Sequence, residues 1–334
     1  GQRAAINLAG IHHEQIGRGQ ELASIGHLKP SRLLTVRIQM VADASRPLKN
    51  RARIRLHVGT ADLAATVVLL DADALRAGQS GLAQLFLAEP TVTTWNQPFV
   101  IRSPSPVVTI GGGQVLVPDA QKIRKPDKKL LSWITKLRSS DPMERASAAI
   151  YFAGLREWQP RDLSRTAGID TTDTVYQGLR EKGVVAELAV SPTRALLVHR
   201  EVLDELCGRI QAVLAALHEQ NPLRTAIEQN QLKKAFSYLD EVVLREALKL
   251  MRQEGKIVFS QQGVTLEWHG PQLTQNERKL LSQLIDQYRD AGLQTPTVKQ
   301  AQAAATKNQN SVPHLIELAV ASGDLVQVAA DFFV

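Results

Sequence analysis

One pattern occurs three times in the C-terminal two-thirds of this chain: an apolar helical stretch, a glycine, then a short β-branched strand. The copies are residues 175–188, 243–260 and 315–328, and their glycines, Gly183, Gly255 and Gly323, stand 72 and 68 residues apart. A period near 70 residues points to tandem copies of one small unit. Two further helical stretches precede each copy, as in 143–155 with 160–167, and 273–291 with 297–307. Helix, helix, turn, helix, glycine, strand, loop, strand is the order of a winged helix. The glycine supplies the left-handed residue that ends the third helix, and 257–259 with 264–267, around Gln261-Gln262-Gly263, supply the wing hairpin. The expected boundaries are a linker and first winged helix at 119–200, a second at 201–269, and a third at 270–334 that stops inside its wing.

Upstream of Pro118 the hydrophobic period is two. Residues 32–40, 51–58, 64–70, 81–87, 99–102, 107–110 and 115–117 read as short strands, punctuated by Gly59, Gly78, Pro90, Pro98, Pro104 and Pro106. Such a run predicts a closed barrel or sandwich over 26–118. Residues 1–10 read as a strand already in progress, and the chain ends on the apolar run Asp331-Phe332-Phe333-Val334. Both features predict a segment of a longer protein.

The chain carries 40 Lys and Arg against 33 Asp and Glu, a net charge of +7. The excess is uneven: residues 1–118 hold 12 basic against 7 acidic residues. A polyanionic partner is therefore sought first on the barrel. The single cysteine, Cys207, excludes an internal disulfide framework and any multi-thiolate zinc site. It lies on an apolar helix face with Leu203, Leu206 and Ile210 and reads as a core residue. No stretch reaches the length of a membrane span, so a cytoplasmic monomer with no membrane partner is expected.

Arg51, Arg53, Arg55 and His57 alternate with apolar residues, which sets three guanidiniums on one strand face about 7 Å apart. Phosphates of an A-form backbone repeat on a similar scale, and a guanidinium can grip each bidentately. Lys299, Lys307, Asn308 and Asn310, just before the third helix of the last copy, form a second candidate RNA-contacting corner. Trp133, Trp158 and Trp268 read as module-core anchors, and His12-His13 lacks partners at metal-ligand spacing. No catalytic arrangement is present. Neither a G-x(4)-G-K-[ST] loop nor a guanine-reading Asn-Lys-x-Asp occurs, so no cofactor is expected on this chain and no enzymatic activity of its own.

Gly10-Ile11 through Ile16-Gly17-Arg18-Gly19 to Leu22 resembles the end of the second domain of translation factors related to elongation factor Tu. His57-Val58-Gly59-Thr60-Ala61, residues 83–90, and the stretch from Arg102 through Gly111-Gly112-Gly113 resemble the third domain of bacterial selenocysteine-specific elongation factors. His218-x(3)-Pro222-Leu223 is similar to a motif in their second winged helix. The resemblance implies that 1–25 ends a second-domain barrel. It implies a fold of translation-factor β-barrel followed by tandem winged helices. It further implies that Arg102, Gly111 and Gly112 approach a tRNA backbone. The implied partners are selenocysteinyl-tRNA, the mRNA selenocysteine insertion hairpin and the ribosome. GTP and Mg²⁺ would belong to a GTPase domain elsewhere in the parent protein. A winged-helix DNA-binding regulator with a β-barrel sensor domain is the rival reading.

Overall fold

Alternation of apolar and polar residues closes the N-terminal part on itself. In the computed structural model, which describes residues 5–220, 226–260, 263–267, 273–292, 294–305, 308–329 and 332–333, eight strands precede the first helix. They are β1 (Ser31–Met40), β2 (Leu48–Lys49), β3 (Arg53–Val58), β4 (Ala61–Leu69), β5 (Ala74–Leu75), β6 (Ser80–Thr91), β7 (Pro98–Arg102) and β8 (Thr109–Val117). Six form a closed antiparallel barrel in the order β1-β6-β4-β3-β7-β8, and β2 pairs with β5 beside it. Every second residue faces inward, and Leu34, Val36, Ile38, Leu56, Leu85, Ile101 and Val115 make its core. Closure pairs each of these six strands on both sides.

Three sequence expectations change within this region. Residues 107–110 and 115–117 are one strand rather than two, because β8 runs straight through Gly111–Gly113. A side chain there would meet the neighbouring backbones: an added Cβ would lie 2.6 Å from the Gln39 carbonyl oxygen at Gly111, 2.7 Å from that of Phe99 at Gly112 and 1.9 Å from that of Arg37 at Gly113. Arg51 does not belong to the alternating strand. It occupies a turn at φ 62°, and β3 begins at Arg53. The expected strand over 1–10 does not form in its described part, 5–10, and the described residues before β1 contain only a 3-10 turn at His13–Gln15. A strand needs a pairing partner, and the closed barrel offers none. Instead Gly19 N–H donates to the Thr60 hydroxyl at 3.0 Å and Arg18 Nε to the Thr60 carbonyl at 2.9 Å.

The chain divides into two compact units, Gly1–Glu187 with Leu196–Val202, and Leu188–Ala195 with Leu203–Val334. The first contains the barrel together with helices α1 (Lys128–Lys136), α2 (Pro142–Ala153), α3 (Asp162–Ala167) and α4 (Thr172–Glu181). Asp127 and Asp141 cap α1 and α2. Barrel residues Leu70, Leu116 and Val117 share one core with Trp133, Ile134, Leu137, Ile150 and Trp158. The charged connector is tied down by Gln84, a fully buried barrel side chain that donates to the Gln121 carbonyl at 2.8 Å and accepts from Ile123 N–H at 2.9 Å. Trp95 closes the junction. Its indole N–H donates to the Leu137 carbonyl at 2.9 Å, its backbone N–H to the Arg165 carbonyl at 2.7 Å, and Gly168 lies against its ring.

After α4 come β9 (Val185–Ser191) and β10 (Arg194–His199), paired as a hairpin. The second copy runs α5 (Arg200–Gln220), α6 (Gln229–Ala235), α7 (Glu241–Gln253), β11 (Ile257–Ser260) and β12 (Gly263–Leu266). The third runs α8 (Gln275–Ala291), α9 (Val298–Ala304), α10 (Val312–Ser322), β13 (Gln327–Ala329) and β14 (Phe332–Phe333). Thus, among the described residues, α2–α4, α5–α7 and α8–α10 are each three helices followed by a two-stranded hairpin, with α1 preceding the first set. Gly183, Gly255 and Gly323 have φ of 68°, 69° and 83°, the conformation that ends each third helix. In the last hairpin Gln327 stands opposite Phe333 and Ala329 opposite Phe332. Cys207 is buried. Gln261, Gln262, Trp268 and the Pro222-Leu223 pair lie outside the described residues.

Candidate nucleic-acid interface

Strand register decides which cations share a surface. In β3 the pattern buries Ile54, Leu56 and Val58, so Arg53, Arg55 and His57 face outward. Across the β3–β7 ladder Arg55 stands opposite Arg102 and His57 opposite Val100. Directly opposite residues in an antiparallel pair have Cα atoms about 5 Å apart, and i, i+2 residues about 7 Å. Arg53, Arg55 and Arg102 therefore form a triangle on the outer face of the barrel. Beside it Val100, Val107 and Val108 are exposed. Arg51 is exposed in the preceding turn but lies off the strand.

The acid in this group is Asp62. It stands opposite His57 in the β3–β4 hairpin. Its carboxylate takes Arg55 in a two-pronged pair, Nη2 at 2.8 Å and Nε at 3.1 Å, with His57 Nε2 at 3.7 Å. The Arg55 hydrogen bonds hold the Asp62 carboxyl below the usual carboxylate range, with smaller contributions from His57 and Arg18. The same hydrogen bonds raise the Arg55 guanidinium. One arginine of the triangle is thus held in place by a neighbour, while exposed Arg53 and Arg102 flank it.

Asp62 and Arg18 were missed as functional residues, and Asp62 was findable. Gly59 is left-handed at φ 54°. Counting outward from a two-residue Gly59-Thr60 turn pairs Val58 with Ala61 and His57 with Asp62, as the structure does. The glycines play another part. Gly111 is buried, and all three make room for strand neighbours, so the structure supplies a packing reason for them.

In the third copy, Lys299 is exposed on α9, Asn308 is exposed in the left-handed region at φ 56°, and Asn310 is exposed in the 3-10 turn Gln309–Ser311. Lys307 lies outside the described residues. Asn308 joins Asn276, Lys279, Gln283 and Gln287 along a groove of about 280 Å³, whose lining does not include Lys299. Among the described residues no group of three or more His, Cys, Asp or Glu is arranged to hold a metal ion. Among them no helix is long and apolar enough to cross a membrane.

Comparison with known proteins shows what this chain is similar to. Residues 35–122 match the family described as the selenocysteine-specific elongation factor, beta-barrel domain. A selenocysteine-specific elongation factor of Desulfomicrobium baculatum is 24% identical over 336 aligned residues, covering 100% of this chain and 52% of that protein. This chain therefore spans about half the length of that relative. The crystal structure of a bacterial selenocysteine-specific elongation factor aligns with 97% of this chain and 57% of its own, at a TM-score of 0.49 and 15% identity. The chain is thus similar along its length to one selenocysteine-specific elongation factor, and its residues 35–122 match the β-barrel domain of that family.

Proposed function

We propose that this chain is the tRNA- and mRNA-facing part of a factor that delivers selenocysteinyl-tRNA to the ribosome at recoded UGA codons in the cytoplasm. The observation that carries this reading is the triangle of Arg53, Arg55 and Arg102, set by strand register on a family barrel. The three guanidiniums contact the tRNA backbone, and exposed Val100, Val107 and Val108 give an apolar surface for sugar edges beside them. The three helix–helix–helix–hairpin copies are winged helices forming the arm toward the mRNA hairpin, with Lys299, Asn308 and Asn310 on its RNA side. GTP and Mg²⁺ belong to another part of the parent protein, and this chain contributes position rather than chemistry. Tethering of this kind raises the local concentration of the charged tRNA at one codon.

The test is a titration with selenocysteine tRNA, an elongator tRNA and duplex DNA at several salt concentrations. Selenocysteine tRNA is expected to bind best. Replacing Arg53, Arg55 and Arg102 by Ala is expected to flatten the log–log salt slope by about two to three, at roughly 0.7–0.9 per phosphate contact. An unchanged slope would remove the barrel face from the interface. Preference for duplex DNA would favour the regulator reading.

A further inference from the structure

The function proposed above assigns nothing to residues 119–129, which join the barrel to α1 within the first compact unit. This connector holds five cations, Lys122, Arg124, Lys125, Lys128 and Lys129, and two acids, Asp119 and Asp127. Both acids are engaged elsewhere. Asp119 Oδ2 accepts from Arg165 Nη2 at 3.2 Å and lies 3.5 Å from Arg156 Nη1. Asp127 caps α1, accepting from Leu130 N–H at 2.7 Å. Of the cations, Lys129 pairs with Glu201 at 2.9 Å. Lys122, Arg124, Lys125 and Lys128 are exposed, and among the described residues none of these four forms an ion pair.

The backbone beneath these cations is held. Ala120 N–H donates to the Leu33 carbonyl at 3.0 Å, and Gln84 grips the chain on both sides of Lys122, at the Gln121 carbonyl and the Ile123 N–H. Half-buried Ile123 packs into the core shared by barrel and helices. α1 then opens on Lys128 and Lys129 with no acid in its first turn, where the helix dipole favours acids, so these lysines do not serve the helix. Register sets the connector apart from the arginine triangle. Gln84 stands opposite Thr35 of β1 and Val68 of β4, and its side chain points out of the barrel, between inward-facing Ala83 and Leu85. The connector therefore crosses the outer face of β1 and β6. The triangle lies on β3 and β7, three strand steps away in either direction round the six-stranded barrel. A straight duplex lying on one of these faces leaves the other free.

The make-up of the surface selects its partner. Among the described residues, no exposed large apolar side chain lies within 119–136. A single strand brings bases to be stacked on aromatic rings, a protein partner needs an apolar interface core, and stable membrane attachment needs an apolar anchor beside the cations. A duplex hides its bases and offers phosphates alone. From Lys122 to Lys128 the chain spans at most about 20 Å, long enough to meet about two to three phosphates of one strand. We propose that Lys122, Arg124, Lys125 and Lys128 form a second nucleic-acid surface, which holds the phosphate backbone of an RNA duplex other than the one at the arginine triangle. That the duplex is RNA rests on the function proposed above; the hold of these cations on a duplex backbone does not.

The test is a titration of the full chain with a short, fully paired RNA hairpin, reading stoichiometry at low salt and the log–log salt slope. The native chain is expected to bind two hairpins. The variant carrying Lys122→Gln, Arg124→Gln, Lys125→Gln and Lys128→Gln is expected to bind one, with a total slope flatter by about two to three, at roughly 0.7–0.9 per phosphate contact. All four side chains are exposed, so these changes leave the core intact. Replacing Arg53, Arg55 and Arg102 by Ala is expected to remove the other site and leave this one. If the native chain binds one hairpin, lost on changing the connector and unaffected by changing the triangle, this proposal stands and the earlier reading falls. A connector variant that binds like the native chain would overturn the proposal. So would a single native site weakened by both sets of substitutions, since that is one continuous surface. Tighter binding of single-stranded RNA, of a DNA duplex of the same length or of phosphatidylserine vesicles to the connector would overturn it too.

Discussion

Replacing Gly168 by Ala tests whether the barrel and the first helical copy are one packed body. Gly168 ends α3 at φ 61°, ψ 47°, where a Cβ costs roughly 1–2 kcal/mol. The added Cβ would also stand 2.4 Å from Cε3 and 2.6 Å from Cζ3 of Trp95. That ring is not free to move, because its N–H is bonded to Leu137 and the Arg145 guanidinium lies over it at 5.0 Å. Overpacking of this kind costs roughly 1–3 kcal/mol, so Gly168→Ala should lose about 2–5 kcal/mol. The internal control is Gly183→Ala in the same compact unit, at φ 68° with nothing within 4 Å of the new Cβ. It should lose only the backbone part, about 1–2 kcal/mol. Urea unfolding followed by tryptophan fluorescence reads the difference, since Trp95, Trp133 and Trp158 all lie in this unit. With m near 1–3 kcal/mol per M, the two midpoints should separate by about 1 M. Equal losses at the two glycines would refute the claim that Trp95 is locked between barrel and helices.

Gly113→Ala should prevent barrel closure, because its Cβ would fall 1.9 Å from the Arg37 carbonyl oxygen and 2.8 Å from Phe99 Cζ; loss of far-ultraviolet β signal and of soluble expression checks this. Asp62→Asn removes the acid that engages Arg55 and should steepen the salt slope for tRNA by about one, with an unchanged slope counting against the outer face. Thr274→Ala breaks a capping box in which Thr274 accepts from Glu277 N–H and Glu277 accepts from Thr274 N–H at 2.9 Å; the expected loss is about 1 kcal/mol in the second unit. The Thr274 backbone N–H, then its hydroxyl, hold the Glu277 carboxyl below its ordinary range. A depressed carboxyl stabilises the fold above its unfolded pKa and loses that contribution as pH falls through the folded value. Thr274→Ala should therefore flatten the acid limb of the stability–pH curve, read by urea midpoints from pH 7 downward.

Local periodicity made the elements legible, and long-range packing did not. The helix–Gly–strand repeat placed the ends of α4, α7 and α10 because a left-handed glycine leaves a local signature. The outward face of β3 followed from alternation, but its start did not, since Ala52 between two arginines continues the pattern while the backbone has turned at Arg51. The Gly111–Gly113 run fits a turn or a close backbone approach between strands equally well in sequence; what decides for close approach lies in Arg37, Gln39 and Phe99, far away in sequence. The linker at the start of 119–200 gave no sign of being tied down, yet Gln84, polar in the middle of a strand, is the residue that fastens it at Gln121 and Ile123. Arg165 gave no signal at all. A lone arginine on a short polar helix looks exposed, and only the meeting of barrel and helices buries it.

The rival reading, a duplex-DNA regulator, needs a third helix that presents cations to the major groove. The charges on these helices are largely cancelled within the protein. On α7, Lys249 and Arg245 both engage Glu246, at 2.8 and 3.4 Å, Lys233 of α6 engages Glu241 at 3.1 Å, and Arg252 lies over the Phe259 ring. On α4, Arg180 engages Glu187 at 3.0 Å. The α10 sequence contains no Lys or Arg, and its His314 sits 3.5 Å from Glu317. Such exposed pairs add little stability, but a polyanion responds to net field, and pairing lowers it. On the barrel the balance is reversed: Arg53, Arg55 and Arg102 share the outer face, Asp62 engages Arg55 alone of the three, and Glu21 lies at the Gly59 turn. If charge alone chose the contact, RNA would meet the barrel first. Removing the barrel arginines should therefore weaken binding more than removing Arg245 and Lys249 together, and the opposite order would return the function to the helices.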